Sequence, residues 1–187
     1  MKRLAILALL QLTFVLSLGN EAIAQAPFTP TASSIDESVT TALNSLYAHN
    51  EKARELGAKA KGILVFPDIK KAAFLVGAQF GFGALRQRRR TVGYYRTSAA
   101  SYGFQAGAKK FGYALFFMSS LALDYLNQSG GWAIGTGPSL VVVDEGFARS
   151  LTTNNLHSDI YAFVFNQEGL MGGVGIEGSK ITQIQAN

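Results

Sequence analysis

The chain has 187 residues, a formal charge of +5 and 48% apolar residues, with 20 Gly, 13 Phe and 7 Tyr. An aromatic, weakly charged chain of this kind is not disordered, and its length suits one domain plus a processing segment. It has no Cys, which excludes disulfides, thiolate metal sites, cysteine nucleophiles and a lipid anchor on an N-terminal Cys, and His49 and His157 are too few for a His-rich metal site.

Met1-Lys2-Arg3 precedes an apolar run over residues 4–18, and Ala22-Ile23-Ala24 supplies small residues for cleavage. The pattern predicts a secretory signal peptide over 1–24, its apolar run short for a spanning anchor, with an uncleaved anchor as the rival reading. The product is then exported, periplasmic or secreted, and peripheral to a membrane. Residues 25–33 carry two Pro and read as a linker before a single domain over 34–187. Ser34 and Glu37 fit a capping box, and the apolar spacing of Val39, Ala42, Leu43, Leu46, Ala53 and Leu56 predicts an amphipathic helix. Gly57 is placed to stop it.

The texture then changes. Residues 63–66 read as a short apolar strand closed by Pro67, and 73–82 and 91–96 as strands around the basic turn Arg86–Arg90. Residues 103–126 read as a strand, a turn at Lys109-Lys110, an apolar strand over 113–117 and a helix. Residues 132–151 read likewise, with a turn at Pro138, a strand over 140–143 and a helix from Asp144, which suggests a weak internal repeat. Strands follow over 160–165, 170–176 and 180–184, the first two as a hairpin. Glycines recur among aromatics in the manner of a curved sheet. The expected fold is α+β: an N-terminal amphipathic helix packed on a curved, Gly-rich antiparallel sheet or partly closed barrel, with two short helices.

Charge is segregated. Residues 52–110 hold thirteen basic side chains against Glu55 and Asp68, while the segments on either side are net acidic. Arg86, Arg88, Arg89 and Arg90 share one expected turn, with Arg96 beyond it, and Lys70-Lys71 and Lys109-Lys110 are assigned to two others. If these turns share one end of the sheet, they form one positive face suited to anionic head groups. The other reading of the basic turn is a solvated loop that keeps a Gly-rich sheet soluble.

Catalytic and cofactor signals are weak. Residues 173–178 match G-x-G-x-x-G, but too little chain follows for a dinucleotide fold, and no P-loop, H-E-x-x-H or G-x-S-x-G is present. His49 falls on the polar side of the helix. His157, Ser158 or Ser150, and Asp159 could be drawn as a triad, but adjacency in sequence is not triad geometry. Asp144-Glu145 suit the start of a helix. Trp132, Tyr161, Phe163 and Phe165 suit the core. No catalytic residue, metal or cofactor is expected.

AKGILVFPDIKKAAFLVGAQFGFGAL at 60–85, YGFQAGAKKFGYALFFM at 102–118, WAIGTGPSLVVVDEG at 132–146 and DIYAFVFNQEGLMGGVGIEGSKI at 159–181 together resemble the SYLF domain family. The resemblance implies a lipid-binding module without catalytic residues. Eukaryotic members bind phosphoinositides, fungal ones are also linked to actin, and their membrane contact is attributed to a basic amphipathic N-terminal segment. This chain has the export segment and then Asp36 and Glu37 at that position, so its basic third is assigned the contact. The reading is non-catalytic binding of anionic phospholipid, or phosphoinositide-like head groups, at an envelope membrane surface. Arg86, Arg88, Arg89 and Arg90 meet phosphates, and Lys70, Lys71, Lys109 and Lys110 give a supporting field. The alternative is a structural or partner-binding envelope protein with no lipid role; a hydrolase on Asp144, Glu145, Asp159 and His157 is the third. Nucleic acid is not expected outside the cytoplasm, and neither is actin.

Overall fold

The structure, a computed structural model, describes residues 30–74, 76–102, 107–128, 130–143, 157–169, 176 and 178–187. The expected signal peptide, the helix from Asp144 and the strand over 170–176 lie outside or largely outside these residues.

Helix α1 (Ala32–His49) begins at Thr31, whose hydroxyl accepts from Ser34 N at 3.3 Å, three residues before the expected cap. Asn50 breaks the helix. Its backbone turns extended, and its side chain caps α2 (Glu51–Lys59) by accepting from Ala53 N at 2.9 Å. Gly57 therefore lies inside α2 and does not end a helix. A Cβ there would overlap the Tyr47 hydroxyl, so a larger residue would require that side chain to shift.

Eight strands follow: β1 (Gly62–Phe74), β2 (Val76–Gln87), β3 (Arg90–Tyr102), β4 (Gly107–Phe117), β5 (Trp132–Ala133), β6 (Leu140–Val143), β7 (Ile160–Gly169) and β8 (Lys180–Ile184). Helix α3 (Ser120–Asp124) and a 3-10 turn, Tyr125–Asn127, join β4 to β5. The strands form one sheet in the order β5-β8-β3-β2-β1-β4-β7-β6. All pairs are antiparallel except β6 with β7, so the sheet is mixed. The expected strand over 73–82 is divided between β1 and β2, which pair Phe74 with Val76. The suggested repeat is not carried by the fold: β4 is an 11-residue internal strand, whereas β5 and β6 are short strands at opposite edges.

The sheet curls into a half-barrel, and side chains that meet across its interior show it. Trp132 on β5 stands 6.0 Å ring to ring from Phe117 on β4, although four strands separate them in the sheet. The Tyr113 hydroxyl reaches Thr97 Oγ1 at 2.8 Å across two strands. Leu64, Phe66, Tyr113, Leu115, Phe117, Trp132 and Ile181 fill this inner side. Ile35, Val39, Ala42 and Leu46, spaced by three and four, lay α1 over the outer side against Ile63, Val65, Phe116 and Phe163. A strand buried on both faces has no polar alternation, which is why residues 63–66 read as a continuous apolar run.

Pro67 does not close β1. The pairing shifts register around it on both sides, against β2 and against β4. Such a bulge is where a strand admits a residue without an N–H. Space is tight opposite it. A Cβ on Gly83 would fall on the Val65 carbonyl, and one on Gly112 on the Phe165 ring and the Pro67 carbonyl. The bulge also exchanges faces: Leu64 and Phe66 point inward before it, and Ile69 after it. Gly83→Ala is therefore expected to cost about 3 kcal/mol, because the clash is with backbone. Urea unfolding measures this, and a loss below about 0.5 kcal/mol, the range of an ordinary surface substitution, would contradict the packing.

Candidate functional site

β2 and β3 are joined by a two-residue turn, Arg88-Arg89, flanked by the pair Gln87–Arg90. Both residues have left-handed backbone, φ +48° and +66°. Tight hairpins of this kind favour Asn-Gly, because a side-chain-bearing residue in that region costs about 1–2 kcal/mol. Arg88, Arg89 and Arg90 are exposed and form no ion pair with the described residues. Arg89 lies near enough to Tyr47 to oppose the rise that burial imposes on that phenol's pKa.

Arg86 stands apart from the other three. Its side chain is only 16% exposed, and its Nη2 donates to the Asp36 carbonyl at 3.0 Å and to Thr40 Oγ1 at 2.9 Å, with Asp36 Oδ1 at 3.4 Å. Asp36 also accepts from Thr91 Oγ1 at 2.6 Å and from the Tyr94 hydroxyl at 3.0 Å. Desolvation and then this carboxylate push the Tyr94 pKa up. Asp36 thus fastens α1 to β2 and β3, and Arg86 is spent on that clamp.

The lysines are not in turns. Lys70 and Lys71 lie within β1 and Lys109 and Lys110 within β4, where Lys70 pairs with Lys110 and Lys71 with Lys109. Strand alternation puts Lys71 on the inner side with Ile69 and Lys109 there with Phe111. Lys109 is 8% exposed and donates to Gln167 Oε1 at 3.2 Å. Lys70 and Lys110 are on the outer side, and Lys110 Nζ lies 3.5 Å from Asp68 Oδ2. Like charges directly opposed destabilise a sheet. Gln87 lies seven positions along β2 from Phe80, the partner of Lys70, roughly 23 Å at the strand rise. The basic residues form two groups and not one rim: the arginine tip at one end of β1–β2–β3, and the lysines toward the other.

Sequence reasoning did not join Phe80 and Arg96 to the lysines. Phe80 pairs with Lys70 and is 49% exposed, and Arg96 pairs with Phe82. A large aromatic alternating with small residues and opposed to a lysine was the signal available.

Asp159 is engaged structurally. Its Oδ2 accepts from Ser139 N at 3.0 Å and Ser139 Oγ at 2.7 Å, and Asp159 N donates back to Ser139 Oγ at 2.9 Å. The Ser139 bonds hold its pKa below the usual carboxylate range. Ser158 N donates to the Tyr161 hydroxyl at 3.3 Å, and His157 is exposed. Ser150, Asp144 and Glu145 lie outside the described residues. His49 is exposed, its Nδ1 2.8 Å from the Ser45 carbonyl oxygen. Among the described residues no group of three His, Cys, Asp or Glu could hold a metal, and no helix is long and apolar enough to cross a membrane. Of the G-x-G-x-x-G match only Ile176 and Gly178 are described, Gly178 in a turn with φ +74°. Trp132, Tyr161 and Phe163 are core residues, as expected.

Two measurements follow. Arg86→Met should cost about 2 kcal/mol in urea unfolding, the value of a charged hydrogen-bond set, whereas Arg90→Met should cost next to nothing. Equal losses would contradict the clamp. Asp159 has a depressed carboxyl, so its contribution is present above the unfolded value and is lost as pH falls through the folded one. The stability gap between the parent and Asp159→Asn should be constant near neutrality and close below about pH 4. A gap that widens on acidification would contradict the assignment.

Residues 98–187 match the family model described as Ysc84, Las17-binding protein actin regulator. The match begins within β3 and covers β4 to β8; α1, β1, β2 and the arginine tip precede it. No curated protein matches the chain. The quoted motifs over 102–181 and this match agree, and residues 98–187 are consistent with a SYLF (Ysc84) domain.

Proposed function

We propose that this protein is an exported, non-catalytic binder of anionic lipid head groups at an envelope membrane surface, and that the tip Arg88-Arg89-Arg90 makes the contact. The observation that carries the reading is the turn itself. Two arginines occupy left-handed positions where Asn-Gly would stabilise the hairpin. Strain kept at an exposed, charged position points to a use for the charge.

The same end of the sheet offers apolar side chains. Ile63 at the start of β1 pairs with Arg86, and Gly62 pairs with Phe117, the end of β4, from which the chain enters α3. Leu121 on α3 is 77% exposed, and Val92 just past the turn is 51% exposed. Three arginines at about 1 kcal/mol each give roughly two decades in affinity, enough for reversible recruitment. Arg86 adds little, because Asp36 holds it. The lysine group supports the reading only as a distant field, which salt screens over about 10 Å.

The test is sedimentation with phosphatidylglycerol vesicles at low salt, with phosphatidylcholine vesicles as reference. Arg88→Asn combined with Arg89→Gly should raise the unfolding midpoint, by about 1 kcal/mol or more of stability. The same variant should weaken vesicle binding about thirtyfold through the loss of two charges. A solvated turn with no partner predicts the gain in stability without the loss of binding. Vesicle binding that the variant leaves intact would overturn the tip as the contact, and no vesicle binding, or binding that ignores salt, would overturn the anionic-lipid reading.

A further inference from the structure

A groove of about 620 Å³ opens on the outer side of the sheet, where the start of α1 leaves parts of β1, β2 and β3 uncovered. The volume is within the roughly 300–1,000 Å³ of sites that take small molecules. Ile35, Pro67, Phe80 and Phe82 give it an apolar lining, and Lys70 and Arg96 line it as exposed cations. Neither cation has an ion pair among the described residues. Asp68 also lines the groove. Its Oδ2 is 3.5 Å from Lys110 Nζ, and its Oδ1 is buried with no hydrogen-bond partner among the described residues.

We infer that this groove holds the polar end of a single anionic lipid, its phosphate between Lys70 and Arg96 and the start of its chain along Phe80 and Phe82. Charge decides the sign of the ligand. Asp68 is offset by Lys110, so Lys70 and Arg96 leave an uncompensated positive field. The lining decides its body: a bare anion would leave Phe80 in water, whereas a chain covers it. The inference rests on the anionic-lipid reading above, but not on the arginine tip. The tip meets a surface; the groove takes one molecule.

The probes are dihexanoyl phosphatidylglycerol below its micelle concentration, dihexanoyl phosphatidylmethanol, dihexanoyl phosphatidylcholine and inorganic phosphate, each titrated into the protein by calorimetry. Phosphatidylglycerol should bind saturably. Phosphatidylmethanol, with the same charge, should bind likewise, and the other two should not saturate. Arg96→Glu and Phe80→Ser should each weaken phosphatidylglycerol by about tenfold or more. Both residues are exposed, so the unfolding midpoint should stay where it is. Arg88→Asn with Arg89→Gly should leave this binding unchanged.

No saturable phosphatidylglycerol binding, equal binding of inorganic phosphate, or indifference to both groove variants would overturn the inference. A dimer of the chain that Phe80→Ser disperses would do the same, by giving the groove to a second copy. Vesicle binding that survives while monomer binding is absent removes only the groove. Monomer binding that survives while the tip variant still sediments with vesicles removes only the tip.

Discussion

A sheet apolar on both sides has to be covered on both, and this constraint organises the molecule. The inner side is covered by curling until β5 meets β4, so that Trp132 packs on Phe117. The outer side is covered by α1. The curl depends on the bulge at Pro67 and on Gly83 and Gly112 opposite it, where no side chain fits. Because the bulge exchanges faces, it also decides which lysine of each neighbouring pair is turned to solvent. Lys109 goes inward and is nearly buried, and Lys70 goes outward. A feature that exists for packing thus sets the distribution of charge.

The clamp between α1 and the sheet has a similar double effect. Asp36 gathers Arg86, Thr91 and Tyr94 and fixes how far the helix lies over β2 and β3. It withdraws one arginine from the basic turn and leaves three at the tip. It also fixes the start of α1 along the strands, and the outer surface left uncovered there forms the groove with Lys70, Phe80 and Arg96. On the proposed reading, the tip serves extended contact and the groove takes a single molecule.

Much of this was legible in the residues. The spacing of Val39, Ala42 and Leu46 marked the helix and its buried side, and glycines among aromatics marked a curved sheet. The motifs over 102–181 marked the resemblance that the family-model match over 98–187 supports. What escaped has physical reasons. Thr31 caps α1 although Ser34 with Glu37 fits the local pattern, because a capping box is a propensity that packing overrides. Pro67 read as a stop because a bulge is defined by the partner strands, which a single segment does not contain. Lys109-Lys110 read as a turn because charge is rare inside strands; here one lysine of the pair faces solvent and the other donates to Gln167. The parallel pairing of β6 with β7 has no local signature. The groove was invisible because its lining comes from α1, β1, β2 and β3, brought together only by the fold.

The central claim is that the tip of the β2–β3 hairpin is the part of the molecule that meets anionic membranes. Amide hydrogen exchange of the protein with and without phosphatidylglycerol vesicles tests it most directly. The account predicts added protection at residues 87–93 and in α3, with the exposed side of the β6 edge unchanged. Protection confined to that edge, or none at the tip while the protein is vesicle-bound, would contradict it.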